Sequence, residues 1–155
     1  MNIHIRPALP EEADALTQIA FAAKRHWGYP ARWMEIWTPQ LTFSPNYFQE
    51  NETWVAEGDH PIAFYTLQER NGNAWIENLW VLPEYMGQGI GKHLFLHAIS
   101  RSLELGYKIL HLEADPNAAG FYEKMGMHKI GERHSEIEGQ PRILPIMQIN
   151  LLENQ

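Results

Sequence analysis

The chain reads as a mixed α/β domain of α+β character, and three features carry that prediction. Strand-like runs and segments of helical period alternate along 155 residues, with no linker or repeat to divide them. Asn71-Gly72-Asn73 is a strong hairpin signal between two strand-like runs. Between residues 74 and 114 a strand, a glycine-rich turn, a helix and another strand follow one another, the arrangement that makes two strands parallel.

The elements follow in order. Ile3 to Arg6 is a short strand. Pro10-Glu11-Glu12 opens a helix, because proline and acids suit a first turn whose amides are unbonded. Ala13, Leu16, Ala20, Ala23 and Trp27 recur at helical spacing and define its apolar face. Gly28-Tyr29-Pro30 ends it. Residues 26 to 48 hold seven of the chain's 18 aromatic residues, with a second helix around Ala31 to Trp37 and with Pro39 and Pro45 as breakers beyond it. Thr53 to Glu57 and Ile62 to Leu67 are strands joined by the turn Gly58-Asp59-His60, and Ala74 to Leu82 returns after the hairpin. A glycine turn at residues 87 to 91 leads into a helix that Gly106 caps near Leu105. Lys108 to Ala114 is a buried strand, Ala118 to Met125 a short helix, and Met127 to Glu132 and Ile143 to Leu151 the last two strands.

Composition narrows the function. Twelve Lys and Arg against 19 Asp and Glu give a net charge of −7, which argues against nucleic acid as a partner and mildly favours a cationic or neutral substrate. Without cysteine there is no disulfide, thiolate metal site or cysteine nucleophile. The N-terminus lacks a signal-peptide core and no stretch nears the ~20 apolar residues of a membrane span, so a soluble, cytoplasmic protein is expected.

The segment Val81-Leu82-Pro83-Glu84-Tyr85-Met86-Gly87-Gln88-Gly89-Ile90-Gly91-Lys92 leaves a strand and enters a helix. Its glycines let a ligand approach the backbone, and the amides at the helix start face outward toward an anion. A dinucleotide fingerprint fails, because Leu94 or Lys92 stands where its third glycine belongs. A Walker A loop fails at Met86 and His93. The turn instead resembles the pyrophosphate loop of the GNAT superfamily of acyl-CoA-dependent N-acetyltransferases, with Leu79-Trp80-Val81-Leu82-Pro83 like the family's preceding strand and bend. About thirty residues on, Asn117-Ala118-Ala119-Gly120-Phe121-Tyr122-Glu123-Lys124-Met125-Gly126-Met127 is similar to a second family segment, with Gly120 and Met127 as departures.

This resemblance implies a GNAT-type fold over residues 1–155, a central, mostly antiparallel twisted sheet with one parallel, splayed strand pair flanked by helices. It implies acetyl-CoA as co-substrate, with no metal, and transfer to a primary amine by direct attack in a ternary complex. The cofactor would be held by Met86, Gly87, Gln88, Gly89, Ile90, Gly91 and Lys92, by Asn117, Tyr122 and Lys124, and by backbone amides of Leu79, Trp80 and Val81 that polarise the thioester carbonyl. Met86 stands where the family usually has Arg or Gln, so one donor to the pyrophosphate is missing.

Acetylating an amine requires that the ammonium, with a pKa near ~10.4, lose a proton and that the departing thiolate gain one. Glu77, on the face of its strand shared with Leu79 and Val81, reads either as the base or as an exposed strand glutamate. Tyr122 is the acid candidate, since a phenol with a pKa near ~10 is protonated at pH 7; the alternative is a packed aromatic beside Phe121. Asn117 suits the pantetheine arm and equally a helix N-cap. His111 is an alternative base. His26, Tyr29 and Trp33 fall where the family builds its acceptor pocket, whereas Trp27 and Trp37 read as core. His93 and His97 are four apart but lack a third ligand, so no metal site follows. The acceptor is expected to be a small-molecule amine, for want of a long charged surface to dock a protein. A homodimer paired through Ile143 to Leu151 is possible in this family. A non-catalytic module that binds CoA or acyl-CoA is the alternative function, and Met86 is the feature that favours it.

Overall fold

A computed structural model describes residues 2–152, so that Met1 and residues 153–155 of the expected domain lie outside it. Its elements run β1 (His4–Pro7), α1 (Ala13–His26), α2 (Ala31–Leu41), α3 (Pro45–Glu50), β2 (Glu52–Glu57), β3 (Pro61–Arg70), β4 (Asn73–Val81), α4 (Ile90–Glu104), β5 (Ile109–Glu113), α5 (Ala119–Lys124), β6 (His128–Ile137) and β7 (Gln140–Asn150). The seven strands are ordered β1-β2-β3-β4-β5-β7-β6. The β4–β5 pair is parallel, whereas β1–β2, β2–β3, β5–β7 and β6–β7 are antiparallel. This is the mixed α/β class expected, with one parallel pair.

Two compact units divide the chain: Met1–Leu67 with Asn78–Leu96, and Gln68–Glu77 with His97–Gln155. In the first, α1 buries Ala13, Leu16, Ile19, Ala20 and Ala23, and β2 and β3 bury Val55, Ala56 and Ile62 to Tyr65. Arg6 ties β1 to its neighbours. Its guanidinium donates two hydrogen bonds to Glu12, at 2.9 and 2.6 Å, and two to Glu57, at 3.2 and 2.8 Å. Hydrogen bonding from Arg6 holds both carboxyls below the usual carboxylate range. Leu82 N–H donates to Ile62 C=O at 2.9 Å, closing the open end of the β3–β4 hairpin.

The second unit contains the hairpin turn itself, where Asn71 (φ 54°) and Gly72 (φ 83°) both adopt the left-handed conformation that a tight turn needs. Its core includes Leu110, Leu112, Met147, Ile149 and Leu151. The parallel register runs from Ala74↔Leu110 through Trp75↔His111 to Ile76↔Leu112.

Four expectations are corrected. Pro39 lies inside α2 and Pro45 opens α3, an additional helix. Proline is tolerated in a first turn because its missing N–H is not needed there. At residue 39 it forfeits one bond late in the helix, where the hydroxyls of Thr38 and Thr42 donate to Met34 and Thr38 carbonyls at 3.0 and 2.7 Å. Trp27 is 39% exposed rather than core, because α1 ends at His26 and its stripe stops at Ala23. The last two strands are longer than expected and form one hairpin about Glu138-Gly139. β7 consequently pairs with β5 along Ile146 to Asn150 and with β6 along Gln140 to Gln148. The N-cap of α5 is Ala118, not Asn117.

Candidate functional site

β4 alternates buried and open side chains, and its last three residues, Leu79, Trp80 and Val81, are partly buried. A single 3-10 turn, Pro83–Tyr85, comes next, with Tyr85 N–H donating to Leu82 C=O at 2.9 Å and Met86 N–H to Pro83 C=O at 3.2 Å. Gly87 (φ 79°) and Gly89 (φ 82°) then take the left-handed conformation that side-chain-bearing residues avoid. A Cβ added at either would meet no protein atom within 4 Å, so their backbone is open on the outer side. The first bond of α4 runs from His93 N–H to Gly89 C=O at 3.0 Å. The amides of Ile90, Gly91 and Lys92 therefore have no preceding turn to bond to, and they add the positive end of a 15-residue helix dipole. Gln88 folds back, its side-chain amide donating to Glu84 C=O at 3.3 Å, and Lys92 is exposed. Bare amides, open glycines and a helix start suit a pyrophosphate. Met86 is half-buried and has no polar group to offer an anion.

The same unit holds His26, Tyr29 and Trp33. Tyr29 stacks on Trp33 at 5.9 Å and meets the edge of Trp37 at 5.0 Å, while the His26 ring meets that of Trp27 at 5.7 Å. Tyr29 and Trp33 are therefore parts of one aromatic cluster, and exposed His26 stands outside it. Trp37 is buried, as expected. Sequence inspection missed Asn78 and Tyr47 beside Trp80: the Trp80 indole N–H donates to Asn78 Oδ1 at 3.0 Å, and Asn78 Nδ2 donates to the Tyr47 hydroxyl at 2.9 Å. Asn78 had a visible signal, a polar residue between Ile76 and Trp80 on the buried side of β4.

Glu77, Asn117, Tyr122 and Lys124 belong to the second unit. Glu77 is ion-paired with Arg70, whose guanidinium lies 4.8 Å from the centre of the Trp75 ring. Tyr122 is buried on α5, its ring edge-on to Phe121 at 5.1 Å. Burial, and secondarily the Asp115 carboxylate, push its phenol well above the usual tyrosine range, so it keeps its proton. Asp115, another residue missed, accepts the Asn117 backbone and side-chain N–H groups at 2.9 and 3.0 Å and pairs with Arg142 at 3.3 Å. Its signal was the turn-forming Asp115-Pro116-Asn117. Lys124 is exposed in the last turn of α5.

His111 is buried and stacked on Trp75 at 4.6 Å. Its Nε2 is 3.0 Å from Gln148 Oε1, which assigns the proton to Nε2. Nδ1 has no hydrogen-bond partner among the described residues, and burial lowers the imidazole pKa. No three His, Asp or Glu side chains converge as a metal site among the described residues, and no described helix is long and apolar enough to cross a membrane.

The acetyltransferase (GNAT) family model matches residues 14–127. A peptidyl-lysine N-acetyltransferase, YjaB of Salmonella typhimurium, is 33% identical over 98 residues, covering 62% of this chain and 63% of the relative. Thus the matched stretch spans less than two thirds of that relative's length. Among solved structures, a GCN5-related N-acetyltransferase from Rhodopseudomonas palustris superposes with a TM-score of 0.82 at 24% identity, covering 97% of this chain and 96% of that one. PaiA N-acetyltransferase from Thermoplasma acidophilum, in complex with coenzyme A, gives 0.77 at 22% identity, covering 97% and 99%. With the glycine turn and the Asn117-to-Met127 segment both inside the matched range, the chain belongs to the acetyltransferase (GNAT) family.

Proposed function

We propose that residues 1–155 work as one acetyl-CoA-dependent N-acetyltransferase domain that acetylates the primary amine of a small-molecule acceptor by direct attack in a ternary complex. The observation that carries this is the turn from Met86 to Lys92, with two open, left-handed glycines delivering bare amides to the start of α4. Acetyl-CoA supplies an acyl thioester. The amides of Gly87 to Lys92, with the charges of Lys92 and Lys124, hold the pyrophosphate, and Asn117 serves the pantetheine arm. Backbone N–H groups of Leu79 to Val81 polarise the thioester carbonyl. Tyr122 donates its phenolic proton to the departing sulfur. Glu77 takes the proton released by the amine, directly or through water, while its Arg70 partner holds the carboxylate in place.

A second reading of the acceptor, a lysine side chain in a peptide, is favoured by the activity for which the Salmonella relative is named. Calorimetric titration with acetyl-CoA, CoA and NADPH tests the cofactor. Stoichiometric, micromolar binding of the two CoA species and none of NADPH is expected, and failure of both CoA species to bind would sink the proposal. Thiol release with a panel of small amines beside lysine peptides then decides the acceptor. Binding without any thiol release would favour the non-catalytic module.

A further inference from the structure

The ammonium of Lys24, near the end of α1, sits among three aromatic rings, with Nζ 4.3 Å from the ring centre of Trp37, 5.1 Å from Tyr29 and 5.9 Å from Trp80. The rings come from α2, from the segment before it and from the end of β4. All three are braced. Tyr29 and Trp37 meet edge to face at 5.0 Å, and the Trp80 indole is fixed through buried Asn78 to Tyr47. A cluster of rings whose rotamers are locked is preorganised for a cation. Lys24 shows what fits, a primary alkylammonium on a flexible carbon chain. Trp80 also lies between Leu79 and Val81, the residues assigned above to the thioester carbonyl.

A cation–π contact favours the charged form of an amine, and an amine attacking a thioester must be neutral. A cation held by these rings is therefore an anchor and not the nucleophile. We propose that this box binds a second cationic group of the acceptor, one separate from the amine that is acetylated, and that Lys24 is a resident occupant which the acceptor displaces. The acceptor class is then a diamine, or an amine carrying another fixed positive charge. This inference rests on the proposed transferase activity only for the reacting end of the acceptor; the box itself is tested without turnover.

The probe is tetramethylammonium, titrated against intrinsic tryptophan fluorescence of the full chain, wild type beside Lys24→Gln and Lys24→Arg. If Lys24 occupies the box most of the time, its removal raises apparent affinity by the inverse of the open fraction, at least about fivefold, since a single modest cation–π contact alone gives that factor. Lys24→Arg keeps a cation and is expected to stay within about twofold of wild type. In turnover, Lys24→Gln lowers the KM for the linear diamine cadaverine by a similar factor and lowers that for n-pentylamine, which has no second cation, by less. Unchanged or weaker tetramethylammonium binding in a folded Lys24→Gln protein overturns the proposal. So does a higher KM confined to acceptors bearing a carboxylate, which would make Lys24 an anion anchor. Should the probe behave as expected while no amine is acetylated, the transferase proposal fails and the cation box stands.

Discussion

Replacing Tyr122 by phenylalanine removes one hydroxyl and leaves the ring in place against Phe121. The size of the effect can be worked out from the phenol's surroundings. Full general-acid catalysis, about 10²- to 10⁴-fold, needs an acid whose pKa lies near the working pH. Burial and Asp115 push Tyr122 the other way, so the proton is held tightly and only partly transferred when the thiolate leaves. The loss is then mainly that of a hydrogen bond to a developing charge, worth about 1.5–3 kcal/mol. At about 1.4 kcal/mol per decade, kcat is expected to fall roughly 10- to 150-fold. The KM for acetyl-CoA and the calorimetric Kd for CoA should hold within about twofold, because an interaction made only as the sulfur departs does not contribute to ground-state binding. The assay is steady-state thiol release alongside CoA titration and a thermal melt. A folded Tyr122→Phe protein with kcat within about threefold of wild type would refute the assignment. A loss shared equally by kcat and CoA affinity would mean that the hydroxyl acts by packing or positioning.

Other consequences are as direct. His111 is held neutral by burial, so its folded pKa lies below the unfolded value of about 6.5; the unfolded chain protonates first, and stability falls as pH drops below about 6.5 toward the folded pKa. Urea midpoints at pH 7.5 and 5.5 should show this loss, and His111→Gln should show less of it. Met86→Arg restores a charged donor beside the glycine turn and is expected to tighten CoA binding about tenfold by calorimetry, in line with a charged hydrogen bond. If Glu77 is the base, Glu77→Gln lowers kcat at pH 7 by about 10²-fold or more and part of the loss returns at high pH, where the acceptor amine deprotonates unaided. Its stability should shift by less than about 0.5 kcal/mol, since the Arg70 pair is a partly exposed one. A flat pH dependence of the residual activity would count against the base role.

The parts of the fold governed by local chemistry were legible in the sequence. Asn71-Gly72 dictates its hairpin because both positions need positive φ, and Gly87 and Gly89 mark a strand-to-helix turn for the same reason. Features that depended on distant partners were not. Trp27 continues the helical spacing of α1, yet whether a residue past the last turn is covered depends on packing that the stripe does not encode. Pro39 reads as a breaker because the local rule is strong, but α2 keeps Trp37 and Leu41 buried on either side of it, and that burial outweighs one lost backbone bond. The aromatic cluster was visible as composition alone. That Lys24 points into it was not, although a lysine four residues beyond Ala20 on an apolar stripe was a signal. Likewise Glu77 and Arg70 are seven residues apart along the chain, and only the hairpin brings their charges together.

The position of β6 has a bearing on how the protein behaves when concentrated. As the outermost strand it leaves one row of backbone donors and acceptors unmatched, a template on which another chain can grow a cross-strand aggregate. Most of its side chains from His128 to Glu136 are exposed and charged or polar, Lys129 and Arg133 are ion-paired with Glu132 and Glu113, and the pairing with β7 shifts register between Lys129 and Gly131. An incoming strand would have to strip water from charges of both signs and follow a broken pleat. The rim of the sheet is thus guarded against fibril growth by the same residues that contribute little to its core.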